Sequence, residues 1–132
     1  MYLADRTNRG VDIFDAANDV FIDRISGFVS ISGVPGNAGP NGVVVTPENI
    51  LWAGDSNSTL QAVDLNLSSP QIIHSISVGS ATDGRADELA YDPYERVVLV
   101  ANDASKPPRV TFVSADTYSV LGRIDFPDAE GM

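Results

Sequence analysis

The stretch Ile50-Leu51-Trp52-Ala53-Gly54-Asp55 decides the fold of this chain, because related stretches occur on either side of it. In each stretch a pair of apolar residues ends in alanine, and a carboxylate follows within two residues. The related stretches are Leu3-Ala4-Asp5 and Val100-Ala101-Asn102-Asp103, and the three alanines lie 49 and 48 residues apart. Each copy continues into a polar turn, an alternating run, and a further run that ends in Ile. The chain is therefore a threefold repeat.

A period in the forties, built from short strands and turns, is typical of the blades of a β-propeller. Alternation of apolar and polar residues is frequent, and no long run shows helical spacing. We therefore predict an all-β fold, with the 132 residues forming one partial β-propeller domain. About three four-stranded antiparallel blades are expected, at residues 1–29, 39–79 and 85–127. The first blade lacks its inner strand, so the expected strand counts are three, four and four.

Fewer than three complete blades cannot form a closed ring, because propellers usually need four to eight. Sheet edges and faces that stay uncovered favour aggregation. We therefore expect the chain to be a fragment of a ring of six or seven blades. The alternative is that several copies of the chain complete one ring together.

The charge of the chain limits its partners. Eighteen carboxylates oppose eight basic side chains, which gives a net charge of −10. Nucleic acid is not expected as a partner, because phosphate binding needs a basic face. An acidic surface suits solubility and also suits a cationic ligand. No apolar run is long enough for a membrane helix, so no membrane insertion is expected. Cysteine is absent, which excludes thiolate metal sites and leaves the redox compartment undefined.

The repeat resembles the YVTN-type β-propeller family. The resemblance rests on three stretches of the first repeat, Tyr2-Leu3-Ala4-Asp5, Val11-Asp12-Ile13-Phe14-Asp15-Ala16 and Phe21-Ile22-Asp23-Arg24-Ile25, and it extends over nearly the whole chain. It implies the propeller fold and slightly favours an extracytoplasmic location, periplasmic or secreted, although no signal peptide is visible in this segment. Propellers carry many unrelated activities, so the resemblance implies no particular function.

A narrower stretch is similar to the gluconolactonase/regucalcin propellers. It comprises Gly39-Pro40-Asn41-Gly42-Val43-Val44-Val45 and the following Asn49-Ile50-Leu51-Trp52-Ala53. The similarity implies that Asn41 begins an inner strand and points into the central channel, and that Asp87 is its equivalent one blade later. In that family such residues ligate a divalent metal, so Asn41 and Asp87 become candidate ligands for Ca²⁺ or Mg²⁺.

The residues around these two positions suggest three functions. The leading hypothesis is a binding or scaffold propeller that receives a small ligand or cation at the channel mouth, with Asn41 and Arg85 as ligand-binding residues. The alternative is a metal-dependent lactonase-type hydrolase, with Glu88 as the catalytic base acting on metal-bound water. A protein-interaction platform is the third. Arg85 is expected to pair with Asp87 or Glu88, and a purely structural role, bonding backbone at a strand start, stays open for Asn41 and Asp87.

Other conspicuous residues are expected to be structural. Asp5, Asp55 and Asp103 all follow a strand where the chain reverses, and aspartate favours such turns because its side chain bonds nearby backbone N–H groups. His74 lies in an outer strand, far from the axis. Trp52 falls on a strand and is expected in the core.

Overall fold

The fold is seen in a computed structural model, which describes residues 1–29 and 39–129 and contains eleven strands in this part of the chain. Sheet 1 contains β1 (Tyr2–Asp5), β2 (Gly10–Asp15) and β3 (Val20–Ile25). Sheet 2 contains β4 (Val43–Val45), β5 (Ile50–Asp55), β6 (Thr59–Asp64) and β7 (Gln71–Ser77). Sheet 3 contains β8 (Leu89–Asp92), β9 (Val97–Asn102), β10 (Arg109–Ser114) and β11 (Val120–Asp125). A single 3₁₀ turn, Ala81–Asp83, precedes sheet 3 in the described chain.

Every neighbouring pair of strands is antiparallel, and within each sheet the strands follow one another in chain order. The described residues thus confirm the all-β partial propeller and its counts of three, four and four strands. The pairing of β1 with β2 matches the pairing of β5 with β6 and of β9 with β10. β1 is therefore the equivalent of the second strand in sheets 2 and 3.

The pairing register corrects the alignment of the repeats. Asp5, Asp55 and Asn102 each end the second strand of their sheet, opposite the first residue of the third strand. The alignment on three alanines is therefore wrong by one residue, since Gly54 rather than Ala53 is the equivalent of Ala4. Asp103 lies one position beyond the repeat-equivalent site.

The middle sheet is buried on both faces. All six residues of β5 are buried, because successive side chains of a strand point to opposite faces and each face meets a neighbouring sheet. One apolar cluster combines sheets 1 and 2 with the segment after β3, and comprises Val11, Ile25, Phe28, Leu51, Ala53 and Val63. A larger cluster joins sheets 2 and 3, and includes Ile50, Trp52, Leu60, Ala62, Val98, Val100 and Val113. Complete burial of one such Val or Leu stabilises the fold by roughly 1.5–3 kcal/mol, and the core position predicted for Trp52 is confirmed.

The same irregularity occurs in all three sheets. The register between third and outer strand shifts at Ile13/Phe14, at Ala62/Val63 and at Phe112/Val113. A β-bulge increases the local twist of a strand. The repeated bulge therefore gives the outer part of each sheet the same added twist.

One face of sheet 3 has no covering sheet among the described residues. In sheet 2, Trp52, Leu60 and Ala62 lie on the face that packs against sheet 3. The strand register makes Leu99, Val110 and Phe112 their equivalents in sheet 3. We call this the forward face of sheet 3. It carries two shallow apolar grooves of about 310 and 250 Å³.

Candidate ligand site at the openings of the inner strands

Asn41 and Asp87 occupy equivalent positions, one in sheet 2 and one in sheet 3. The backbone N–H of Asn41 donates to the carbonyl of Gly54 at 2.9 Å, and that of Asp87 donates to the carbonyl of Ala101 at 2.8 Å. Since Gly54 and Ala101 are themselves equivalent, the expected correspondence between Asn41 and Asp87 is confirmed. Both lie two residues before their inner strand, which begins at Val43 in sheet 2 and at Leu89 in sheet 3. The expectation that Asn41 and Asp87 begin these strands was therefore wrong by two residues.

The two openings lie in contact with each other. The side-chain Nδ2 of Asn41 donates to Oδ1 of Asp87, and it also lies 3.4 Å from Oε1 of Glu88. The backbone N–H of Gly42 donates to the carbonyl of Asp87 at 2.9 Å. A Cβ atom on residue 42 would lie only 2.5 Å from that carbonyl oxygen, so the close approach requires glycine. Inner strands of neighbouring sheets therefore converge here, as they do around the axis of a propeller.

Arg85 pairs with Asp87, as expected. Its Nη2 lies 2.9 Å from Oδ2 of Asp87, and the aspartate side chain is almost fully buried. Asn102 holds the backbone of this loop, because its Nδ2 donates to the carbonyl of Arg85 at 3.0 Å. Each oxygen of Asp87 is thus engaged, one by Asn41 and the other by Arg85.

Asp103 belongs to the same group, which the sequence did not predict. Burial raises the pKa of Asp103, and a hydrogen bond with Asp87 and the charge of Asp87 raise it further. Asp103 also accepts from the N–H of Ala104 at 2.7 Å, so the expected turn contact is present as well. A signal was available in the sequence, because aligning Asn102 with Asp5 leaves Asp103 as an additional acidic residue in the third repeat only.

We name Asn41, Arg85, Asp87, Glu88 and Asp103 the channel-mouth cluster. It contains three carboxyl groups and one guanidinium, so its full ionisation leaves an excess of negative charge.

The candidate metal ligands Asn41 and Asp87 do not form a cation shell in this arrangement. Ca²⁺ and Mg²⁺ need several oxygen ligands, but Asn41 turns its NH₂ group toward Asp87, and the other Asp87 oxygen is bound by Arg85. Across residues 1–29 and 39–129, no three His, Cys, Asp or Glu side chains are grouped as a metal site. A metal-binding role for Asn41 and Asp87 stays a prediction.

The other acidic positions of the repeat have different surroundings. Asp5 closes a turn by accepting from the backbone and side-chain nitrogens of Asn8, at 3.0 and 2.6 Å, which confirms the turn role predicted for it. Asp55 is fully buried instead. It accepts from the N–H groups of Val29 and Ser56 and from Nε2 of Gln61, all within 3.0 Å.

His74 lies on the outer strand β7, away from the strand openings. Its ring stacks on Tyr118 at a centroid distance of 3.9 Å, and Tyr118 stacks in turn on Trp52 at 5.5 Å. The three rings join sheet 2 to the turn between β10 and β11. This contact accounts for His74 by packing between sheets.

Within the described ranges, no helix has the length and apolar character needed to cross a bilayer. No family model matches the chain, and no curated protein does either. Solved structures do match. Hydrazine synthase of Kuenenia stuttgartiensis is 16% identical with a TM-score of 0.78, covering 98% of this chain and 33% of that one. A functionally unknown protein from Desulfotomaculum acetoxidans is 13% identical with a TM-score of 0.75, covering 96% and 37%.

A chain of the mitotic checkpoint complex is 12% identical with a TM-score of 0.72, and the match covers 98% of this chain and 35% of that one. The chain therefore spans about a third of the length of these structures. At such low identity the likeness concerns the fold alone, and the folds of hydrazine synthase and of the checkpoint complex are of the propeller type. The chain has the fold of a partial β-propeller.

Proposed function

We propose that this chain is part of a binding propeller that receives a small cationic ligand at the channel-mouth cluster. The observation that carries the proposal is the grouping of Asp87 and Glu88 around the side chain of Asn41, with Arg85 matching the charge of Asp87 alone. Glu88 adds a further carboxylate beside Asn41. Burial, and after it the hydrogen bond with Asp87 and the charge of Asp87, raise the pKa of Asp103. A nearby cation favours the charged form of a carboxyl group, and a cleft with one sign of charge concentrates counter-ions.

The proposed ligand is an organic ammonium group rather than a metal ion. An ammonium donates up to three hydrogen bonds and accepts none. Glu88 and Asp103 supply carboxylate acceptors without displacing Arg85 from Asp87. A divalent metal would require that displacement and a rotation of the Asn41 amide. Hydrolysis by Glu88 would need a metal-bound water, so we do not extend the proposal to lactonase chemistry.

Isothermal titration calorimetry at low ionic strength tests the proposal, with putrescine as the ammonium probe and CaCl₂ and MgCl₂ in parallel titrations. We expect putrescine to bind, and Glu88→Gln and Asp103→Asn each to weaken its binding by about tenfold to a hundredfold, because a charge-assisted hydrogen bond contributes roughly 1.5–3 kcal/mol. Asp19→Asn is the matched control. Asp19 is an exposed turn residue with φ of 55°, which asparagine tolerates well.

The proposal fails if putrescine does not bind, or if Asp19→Asn weakens binding as much as the two cluster variants do. It also fails if Ca²⁺ binds with loss on Asp87→Asn while putrescine does not bind at all. That result would support the metal hypothesis for Asn41 and Asp87.

A second candidate function, a protein-interaction surface, is favoured by the forward face of sheet 3. Leu121 and Ile124 are 60% and 51% exposed beside the apolar grooves, and exposed apolar patches mark interaction sites. The equivalent face of sheet 2 is covered by sheet 3. We therefore propose that a blade from a second copy of the chain covers the forward face of sheet 3.

Sedimentation velocity over about a hundredfold range of protein concentration tests this second candidate. We expect the average mass to rise with concentration for the natural chain and to stay monomeric for Phe112→Asp, which adds a charge to the proposed contact. A monomer at every concentration would contradict self-association through this face.

A further inference from the structure

Three polar side chains form a row across sheet 3, on the face that packs against sheet 2. In the pairing register, Arg109 of β10 lies opposite Asn102 of β9 and opposite Asp125 of β11. Opposed residues of an antiparallel pair project to the same face of the sheet, with Cβ atoms about 5 Å apart. Asn102 is fully buried and Arg109 is only 9% exposed. We call Asn102, Arg109 and Asp125 the polar row of sheet 3.

The NH₂ group of Asn102 fixes the orientation of its amide. Nδ2 donates to Oγ of Ser58 at 3.1 Å and to the carbonyl of Arg85 at 3.0 Å, and these two bonds use both of its hydrogens. Oδ1 therefore points away from these partners, and it has no hydrogen-bond partner among the described residues. A buried acceptor left unpaired destabilises the folded state, so native proteins normally give such an atom a partner.

Arg109 adds an unpaired donor to the same row. Its Nη1 lies 3.3 Å from Oδ2 of Asp83. Its buried Nε makes no hydrogen bond in the described part of the chain, because Oδ1 of Asp125, at 3.7 Å, is beyond hydrogen-bond distance. The polar row thus holds one buried N–H with an oxygen acceptor on either side, and no two of these three atoms bond each other directly.

The chemistry of these three atoms selects their ligand, which must accept one hydrogen bond and donate two. A metal ion or an ammonium group accepts none, and an anion would donate none and would meet the carboxylates of Asp83 and Asp125. A water molecule does both, and buried waters typically make about three hydrogen bonds to polar groups of the protein. We propose that one water molecule is bound between Nε of Arg109, Oδ1 of Asn102 and Oδ1 of Asp125.

The equivalent positions in sheet 2 need no such water. They are occupied by Asp55 and Thr59. Asp55 accepts the three hydrogen bonds described above, and the hydroxyl of Thr59 donates to the carbonyl of Ser56. In sheet 3 the bound water completes the hydrogen bonding of Asn102 and thereby keeps its NH₂ group on the carbonyl of Arg85. The inference does not depend on the proposed cationic ligand.

NMR of the whole ¹⁵N-labelled protein tests the proposal through the Nε–H of Arg109. We expect this N–H to give cross-peaks with water that have opposite signs in NOE and ROE spectra, as for a water molecule that tumbles with the protein. We also expect it to exchange with solvent at least about tenfold more slowly than the Nε–H of Arg123, whose side chain is 56% exposed. A crystal structure is expected to show a water oxygen roughly 2.7–3.2 Å from all three atoms.

Two variants form a matched pair. Arg109→Lys keeps a positive charge for Asp83 but has no N–H at the position of Nε, so we expect its crystal structure to lack this water and the side-chain NH₂ signals of Asn102 to shift. Asp125→Asn keeps an oxygen acceptor at the outer end of the polar row. We expect this variant to retain the water and the cross-peaks of Arg109.

The proposal is overturned if the natural chain has no water within hydrogen-bond distance of Arg109 Nε and Asn102 Oδ1, or if the Nε–H gives no such cross-peaks. A direct bond between these two atoms would also overturn it, and so would a water that persists unchanged in Arg109→Lys. The first three outcomes are read from the natural chain and do not depend on the folding of a variant.

Discussion

At the residue scale, Asp55 shows how one repeated aspartate can have a role different from that of its equivalents. Asp5 is a partly exposed turn residue, and its pKa is lowered, chiefly by the hydrogen bond from Asn8. Burial raises the pKa of Asp55, although three hydrogen bonds act against the rise. Its bond to the N–H of Val29 ties the segment after β3 to sheet 2. Sequence reasoning predicts the turn, but it cannot predict the burial, which depends on how the sheets stack.

The raised pKa of Asp55 predicts a specific pH dependence of stability. The folded state holds the Asp55 proton more tightly than the unfolded state, whose aspartate pKa is about 3.9. Stability contributed by this residue is therefore greatest below pH 3.9 and falls as pH rises toward the folded pKa. Relative to Asp55→Asn, we expect the free energy of unfolding to fall as the pH rises through this window.

Urea denaturation at a series of pH values checks this prediction, with Asp5→Asn as the control of opposite sign. The lowered pKa of Asp5 gives stability that is present above the unfolded pKa and is lost as pH falls through the folded pKa. A difference between natural protein and Asp55→Asn that stays constant from acid to neutral pH would contradict the assignment.

At the scale of the elements, the alternating pattern predicts the existence and order of the strands correctly, while their ends depend on contacts between sheets. As the equivalent of Asn41, Asp87 is expected at the start of an inner strand, but the strand begins at Leu89 because Asp87 and Glu88 together oppose the single residue Ala101. The repeated bulges before the outer strands were likewise not predicted. A bulge changes neither composition nor alternation enough to be visible in the sequence.

The close approach of sheets 2 and 3 predicts an effect of mutation at Gly54. A Cβ atom on Gly54 would lie 2.4 Å from the carbonyl oxygen of Ala86, whereas one on Gly122 in β11 would meet no atom within 4 Å. We expect Gly54→Ala to destabilise the protein by about 1–3 kcal/mol through overpacking. Gly122→Ala should be neutral or stabilise by up to about 1 kcal/mol, because glycine weakens strands.

Chemical denaturation of both glycine variants provides the measurement. Equal stability of the two variants would mean that sheets 2 and 3 do not approach each other as closely as described. Alanine occupies the equivalent positions in the other two sheets, Ala4 and Ala101. A loss of stability in Gly54→Ala would therefore result from the close contact at Gly54 and not from alanine in a strand.

At the scale of the whole molecule, the sequence predicts the partial propeller because its repeat survives in the pattern of apolar residues. The equivalence of Asn41 and Asp87 could also be predicted, since both precede an inner strand. The place of Asp103 in the cluster could not, because it depends on a one-residue register that only the hydrogen-bonded pairing defines. The similarity to longer propeller structures supports the fold of this chain but gives no information about its function.

A titration of the ¹⁵N-labelled protein with putrescine, followed by amide and side-chain NMR shifts, tests directly whether the channel-mouth cluster binds an ammonium ligand. We expect the largest shifts at Asn41, Arg85, Asp87, Glu88 and Asp103, including the side-chain NH₂ of Asn41, and we expect them to be lost in Asp103→Asn. Shifts spread over the acidic surface, or centred on turns such as Asp15–Asp19, would contradict it.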